Sequence, residues 1–245
     1  MDSLTASFVR ALGLLLSGDV ALFQIVLRSL GVSASACLLG SLLGLFCGAW
    51  LAVCRFHGRE PVLTLLNTLL ALPSVVVGLL VYLLLSRSGP LGHLGWLFSF
   101  QAMVLAQTIL VWPVVTALTR QLVEDVDRQH GEQLQSLGAG VFMRAALLMW
   151  DERYALLTIL VLAFGRAISE VGAVMIVGGN VEGFTRVMTT AIALETSKGD
   201  LPLALALGLI LLGLVLLLNT LLTLLRRWRE RVDGGNLALP TVQPA

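Results

Sequence analysis

The chain has 245 residues, of which 57% are hydrophobic and 13% are charged, and its mean hydropathy is +0.91. These values exclude an ordinary soluble domain and are typical of an integral membrane protein. The formal net charge of +1 provides no extended basic surface, so the composition does not indicate a nucleic-acid partner.

Residues 1–30 are predicted to form a helix at the outer membrane interface. Apolar residues recur there at helical spacing, and Asp2 or Ser3 can cap the start of the helix. The apolar stripe consists of Leu4, Phe8, Val9, Leu12, Leu15 and Leu16. A cleaved signal peptide is the alternative, but the stretch carries Asp2 where such a peptide would carry positive charge. We therefore expect this segment to be retained.

Five segments within residues 31–228 have the length of about 20 apolar residues that a bilayer requires. They are residues 32–53, 62–85, 100–118, 154–177 and 203–225. In hydrocarbon the backbone must satisfy its own hydrogen bonds, so runs of this length predict helices. The fold class is therefore an all-α integral membrane protein with about five transmembrane helices. Pro73 is expected to kink the second.

Arginine placement predicts the orientation of these helices. Ten arginines follow the first, third and fifth segments, and five basic residues lie on the other side of the membrane. Since basic residues favour the cytoplasmic side, we expect the amino terminus outside and the carboxyl terminus inside. Residues 229–245, which contain glycine and proline, are expected to form a disordered cytoplasmic tail.

Residues 119–153 form the longest predicted connection, and they should face the cytoplasm. A polar stretch from Glu132 leads to Gly138, and an apolar helical pattern resumes at Val141 and continues to Trp150. This pattern predicts a helix, a turn and a second helix. A long ordered loop often has a functional role, such as offering a compact surface to another protein, although a plain surface loop remains the alternative.

The fourth predicted span contains two charges, Arg166 and Glu170. A charged side chain at the bilayer centre costs roughly 2.5 to 3.5 kcal/mol, so such residues usually have a use. Their i to i+4 spacing predicts that they share one helical face. They could form a salt bridge that only fixes packing, or they could line a polar pathway. The sequence leaves both possibilities open.

Small residues follow the same span as a narrow stripe. The stripe consists of Gly165, Ser169, Gly172, Ile176 and Gly179. Such a stripe allows a second helix backbone to approach closely. That second helix could belong to the same subunit or to the other copy in a symmetric dimer.

Between Gly178 and Gly199 the chain should return to the outer side. Thr185 could cap a short helix there, with Arg186 and the hydroxyls of Thr189 and Thr190 opposite its apolar face. An oxyanion entering at this point would meet hydrogen-bond donors. An interfacial plug with its polar face in water is the alternative.

Several activities lack the residues they require. A P-loop needs a lysine followed by Ser or Thr, but Lys198 is the only lysine and Gly199 follows it. The chain should therefore not hydrolyse ATP by that route, and energy must come from a partner or an ion gradient. No span contains a histidine, and no Cys or His spacing suggests a metal or another cofactor. An intramembrane enzyme is accordingly disfavoured.

The loop that carries Glu132 and Gly138 resembles the cytoplasmic Glu-Ala-Ala loop of ATP-binding cassette (ABC) importer permeases. The two alanines of that motif are replaced here by Gln133 and Leu134, and its closing Leu-Pro pair by Trp150 and Asp151. In the family this loop forms a short coupling helix that fits a groove on the ATPase subunit. The positions implied to couple to the ATPase are Glu132, Leu137, Gly138 and Ala139.

The run from Gly165 through Asn180 resembles the matching span of permeases for tetrahedral oxyanions such as molybdate, sulfate and tungstate. When residues 185–196 are included, the sequence is most similar to the tungstate branch of these permeases. The resemblance covers about residues 26–227. It implies a type I ABC importer permease fold in the plasma (inner) membrane. A candidate translocation path or gate then consists of Arg166, Ser169, Glu170, Gly172, Gly179 and Asn180.

The resemblance also implies the partners. They are a second copy of the chain, two ABC ATPase subunits, the lipid bilayer and a periplasmic or lipid-anchored oxyanion-binding protein. A molybdate or sulfate permease of the same class is the nearest alternative. A secondary transporter in which Glu170 carries protons is a further alternative, but five unequal spans show no matching halves.

Overall fold

A computed structural model describes residues 20–235, with side chains as far as residue 224, together with Val9 and Gly13. Most of the predicted interfacial helix and the last ten residues of the predicted tail lie outside this range. The described part of the chain is all-helical and contains no β-strand. Its nine α-helices are α1 (Val20–Val53), α2 (Arg59–Leu70), α3 (Ser74–Leu85), α4 (Phe100–Ser136), α5 (Val141–Asp151), α6 (Arg153–Ile168), α7 (Gly172–Gly178), α8 (Met188–Lys198) and α9 (Leu201–Gly235).

The helices provide up to five membrane spans, in agreement with the predicted fold class. By length and composition α1, α4 and α9 can each cross a bilayer, and two bent pairs, α2–α3 and α6–α7, can each count as one span. Following the predicted orientation, we call the end that holds Val53, Gly138 and Arg153 the inner end. The end that holds Phe100 and Gly179 is the outer end.

Three helix boundaries differ from the sequence prediction. Helix α1 begins at Val20 and runs unbroken to Val53, so it starts 12 residues before the predicted first span. Helix α4 continues to Ser136, 18 residues beyond the predicted end, because i,i+4 pairs of Glu124 with Arg120 and Arg128 stabilise its polar part. Helix α9 reaches Gly235, so residues 229–235 of the predicted disordered tail are helical.

Two predicted spans are broken rather than continuous. The bend between α2 and α3 is 99°, much sharper than the expected kink, because Pro73 caps α3 in an extended conformation and also restricts Leu72. The bend between α6 and α7 is 56°. The second break falls at residues 169–171, inside the charged span.

Helices α1 and α4 form the centre of the bundle and run parallel. A Cβ on Gly40 would lie 2.8 Å from Val111 Cγ1, and one on Gly44 would lie 2.7 Å from Val115 Cβ. A Cβ on Gly48 would lie 2.6 Å from the Thr116 carbonyl oxygen. Glycine at every fourth position thus lets the two backbones touch. Around this pair, α3 and α7 pack at its outer half and α5 packs at its inner end.

Candidate translocation and coupling sites

The break between α6 and α7 is stabilised by side chains from two other helices. Gln107 Nε2 on α4 donates to the Ala167 carbonyl at 2.9 Å, and Thr189 Oγ1 on α8 donates to the Glu170 carbonyl at 2.8 Å. Gln107 is 3% exposed and Thr189 is 6% exposed. A broken helix in a membrane needs such replacement donors for its freed carbonyls. The interruption is therefore a built feature of the fold.

Arg166 and Glu170 do not form the salt bridge that their spacing allowed. The helix ends at Ile168, so the i,i+4 register that would bring them together stops between the two residues. Glu170 instead accepts a hydrogen bond from the Ala173 amide at 3.3 Å, at the favourable amino end of α7. Among the described residues, Arg166 is exposed and has neither an ion pair nor a hydrogen bond.

The small-residue stripe is divided by the same break. A Cβ on Gly172 would lie 2.8 Å from Val75 Cγ2 of α3, so this glycine serves packing within the chain. By contrast, a Cβ on Gly165 would meet no atom within 4 Å, and Ser169 is exposed. The part of the stripe on α6 is therefore free within one chain.

Gly179 and Asn180 form the turn that leaves α7. Their φ angles are 67° and 50°, in the left-handed region that favours glycine and asparagine. Asn180 Oδ1 accepts from Thr190 Oγ1 at 2.9 Å, and Asn180 Nδ2 donates to the Thr190 carbonyl at 3.3 Å. Asn180 thus fastens the end of α7 to α8.

The threonine hydroxyls in α8 and just before it are not open donors, so they do not favour the interpretation in which they meet an oxyanion. Thr185 and Thr190 are fully buried, and the hydroxyls of Thr185, Thr189 and Thr190 all donate to carbonyl groups within the chain. Thr185 binds the Gly178 carbonyl rather than capping α8. Arg186 pairs with Glu182 at 3.6 Å and approaches Glu195 at 4.0 Å. Local periodicity could not reveal these partners, because the carbonyls of Gly178 and Glu170 lie outside α8.

The inner end contains the predicted helix, turn and helix. Helix α4 ends at Ser136, Gly138 adopts a φ of 82°, and α5 begins at Val141. Glu132 and Gly138 are exposed and Ala139 is half-buried. Leu137 is 82% exposed. Large apolar side chains also project from α5 into the open, namely Phe142, Met143, Leu147 and Trp150.

The opposite face of α5 is anchored by Arg144, which sequence analysis did not single out. Arg144 Nε lies 2.9 Å from Asp127 Oδ1 of α4, an ion pair without hydrogen-bond alignment. Its Nη2 donates to the Val53 carbonyl, at the end of α1, at 3.1 Å. Glu124 pairs in the same region with Arg59, Arg120 and Arg128. An arginine among the apolar residues of α5 was the available signal for this anchor.

Comparison with known proteins agrees with this architecture. Residues 40–231 match the family described as the binding-protein-dependent transport system inner membrane component. The chain is 42% identical to a probable anion ABC transporter permease protein of Haloferax volcanii, over 88% of this chain and 94% of that protein. It is 38% identical to the tungstate uptake system permease protein TupB of Peptoclostridium acidaminophilum, over 91% and 97% of the two chains. The corresponding protein of Campylobacter jejuni is 35% identical over 93% and 95%.

The family match covers most of the chain, and the relatives align over nearly their full lengths. With several helices able to span a membrane, the protein is a multi-pass component of the plasma (inner) membrane. The chain belongs to the family of inner membrane components of binding-protein-dependent transport systems, with the type I permease fold.

Proposed function

We propose that this chain is the permease subunit of an ATP-driven importer for tungstate and that it forms the translocation path as a homodimer. The observation that carries the proposal is the broken α6–α7 span, which leaves the Arg166 guanidinium exposed and without a protein partner among the described residues. An unpaired charge within a membrane span is costly, and an anion in transit or a facing subunit would compensate it. The two relatives named as tungstate permeases support the choice of cargo.

Arg166 and Ser169 are the residues that we propose to face the anion. A guanidinium offers several N–H donors in one plane, which suits the oxygens of a tetrahedral oxyanion. Ser169 is exposed beside the break. A single arginine in each copy would hold the anion weakly, so that tight recognition is left to a separate binding protein.

Glu170, Gly172, Gly179 and Asn180 complete the proposed gate without contacting the anion. Glu170 holds the start of α7, Gly172 allows α7 to lie against α3, and the turn at Gly179 and Asn180 joins α7 to α8. These contacts set the position of α7 relative to Arg166. A change in that position would open or close access to the break.

The inner helix–turn–helix is the proposed contact with the ATPase. Glu132, Leu137, Gly138 and Ala139 lie at the turn, and the exposed apolar face of α5 follows it. A patch of this kind on a membrane protein's polar end is typical of a protein interface. The family members are permease subunits and not themselves enzymes. We therefore assign ATP hydrolysis to two partner subunits.

Reconstitution tests the proposal directly. The permease would be placed in proteoliposomes with its ATPase and its oxyanion-binding protein, and uptake of tungstate, molybdate and sulfate would be measured with and without ATP. We expect ATP-dependent uptake with tungstate preferred. Uptake driven by an ion gradient without the ATPase would instead identify a secondary transporter, and preference for molybdate or sulfate would correct the cargo.

A replacement of Gly138 tests the coupling site. Its φ of 82° is strained for any side chain with a Cβ, and no atom lies near enough to clash with a new side chain. Gly138→Val should therefore leave membrane insertion intact but misplace the start of α5. We expect weaker copurification of the ATPase and lower uptake, whereas Gly140→Val, at a negative φ of −67°, is the matched control.

A further inference from the structure

Gln107 is a deeply buried polar side chain at the α6–α7 break, with 3% of its surface exposed. Its amide nitrogen binds the Ala167 carbonyl across the gap between α4 and α6. Its amide oxygen, Oε1, has no hydrogen-bond partner among the described residues. Buried polar groups are usually satisfied on both sides. The hydrogen bond to Ala167 therefore fixes the orientation of the Gln107 amide across the two helices.

The space around Gln107 permits movement. Two small cavities of about 10 Å³ each lie beside it, and both are lined by Gln107 and Glu170. Each volume is close to the ~10–15 Å³ that a single water needs. The break therefore has water-sized space beside it, whereas the α1–α4 contact has none.

The same helix that carries Gln107 reaches the inner end. Helix α4 continues from Gln107 to Asp127, a distance of about 30 Å at 1.5 Å per residue. Asp127 there pairs with Arg144 of α5. Pro113 removes one backbone hydrogen bond along this length, but α1 braces that point, since Gly40 and Gly44 lie against Val111 and Val115 on either side of it.

We infer that Gln107 is a positioning residue that ties the α6–α7 break to α4, so that displacement of α5 reaches Arg166 through the α1–α4 pair. The inference rests on the proposed function, because it assigns a coupling role to a hydrogen bond inside that transporter. The bond from Gln107 to Ala167 joins the rigid pair of helices to the broken one. Without it, α6 would still pack against α4 through Val111 and Ala163, but the break itself would follow α4 less closely.

The test compares Gln107→Leu with Thr108→Val in the reconstituted complex of permease, ATPase and binding protein. Leucine removes the amide at similar size. Thr108 is the matched control, because its hydroxyl binds only the Val104 carbonyl of its own helix. The first readout is tungstate transported per ATP hydrolysed. The second is the effect of ATP on labelling of Ser169→Cys by a membrane-impermeant thiol reagent, with Cys37, Cys47 and Cys54 replaced by alanine.

We expect Gln107→Leu to transport about tenfold less tungstate per ATP, a change that corresponds to ~1.4 kcal/mol of lost coupling. ATP hydrolysis should stay within about twofold of wild type, as expected for a loss of coupling rather than of assembly. Labelling at position 169 should stop responding to ATP. Thr108→Val should match wild type in both readouts. Should Gln107→Leu fail to assemble, Gln107→Met, which keeps the length of the side chain but has no N–H donor, is expected to give the same loss.

Two outcomes would overturn the inference, and they can be told apart. If wild-type protein shows no ATP-driven uptake, the proposed function fails and this inference fails with it. If wild type transports and the variants that lack the amide donor keep its tungstate-to-ATP ratio and its labelling response, the inference alone is wrong.

Discussion

The α1–α4 pair and the α6–α7 pair belong to the same bundle, but close packing holds the first and hydrogen bonds hold the second. Between α1 and α4 the backbones touch along three glycines, with no room for a methyl group. The α6–α7 pair is interrupted, and hydrogen bonds from Gln107 and Thr189 hold its freed carbonyls. Close packing resists deformation, whereas a few hydrogen bonds beside small cavities can rearrange. The comparison indicates that the α1–α4 pair is rigid and that the α6–α7 break can bend. We call the first the strut and the second the hinge.

Arg144→Met removes the ion pair at the inner end of the strut. It should lower the free energy of unfolding more than the other substitutions below. The change leaves Asp127, whose side chain is 17% exposed, without its cation, and it removes the donor to the Val53 carbonyl. Loss of one partner of such a pair costs about 3 kcal/mol. Chemical unfolding in detergent would measure it.

A second substitution separates charge from packing at this position. Adding Asp127→Asn to Arg144→Met removes the unpaired carboxylate, so part of the lost stability should return. A double variant as unstable as Arg144→Met alone would contradict the ion pair as the source of the effect. The strut would then be anchored to α5 by apolar packing only.

Gly44→Ala should be the next largest change, because it pushes α1 away from α4. The new methyl carbon would lie 2.7 Å from Val115 Cβ, and overpacking of this kind costs about 2 kcal/mol. Gly213→Ala on α9 is the matched control, since no atom lies within 4 Å of its Cβ position. There alanine should instead add about 0.5 kcal/mol of helix stability. Equal unfolding midpoints for the two variants would refute the rigid pair.

The difference between strut and hinge also explains which features could be predicted. Hydropathy locates the three continuous spans and both bent pairs, because each is long and apolar whether or not it is broken. It misses the break at residues 169–171, because no proline marks it and its donors lie far along the chain, at Gln107 and Thr189. Spacing placed Arg166 beside Glu170 by assuming one continuous helix. Sequence analysis did not identify the glycines at positions 40, 44 and 48, although their i, i+4 spacing was a signal for close packing, and the partner of Arg144 required the fold.

Thr189→Val tests the hinge with a smaller expected change. Valine keeps the shape of threonine but leaves the Glu170 carbonyl without its donor, which costs about 1 kcal/mol. Because the loss is local, amide hydrogen exchange at Ala173 and Val174 should accelerate more than exchange in α1. Thr223→Val on α9, where the hydroxyl binds only its own helix, provides the control. Uniform acceleration across the bundle would show that the break is not an independent unit.

Arg166→Gln should change stability least, within about 0.5 kcal/mol, because the side chain is exposed and unpaired among the described residues. Its effect on uptake should nevertheless be large, because the change removes the charge that compensates an oxyanion beside the break. We expect uptake to fall about tenfold, equivalent to ~1.4 kcal/mol. Arg166→Lys should retain part of the activity, because it keeps the charge but not the planar donors. Arg87 is also exposed and lies between α3 and α4. Arg87→Gln therefore controls for a general loss of positive charge. If Arg166→Gln unfolds the protein while Arg87→Gln does not, the guanidinium has a structural partner across the subunit interface, and the hinge would then be held by the dimer rather than opened toward the anion.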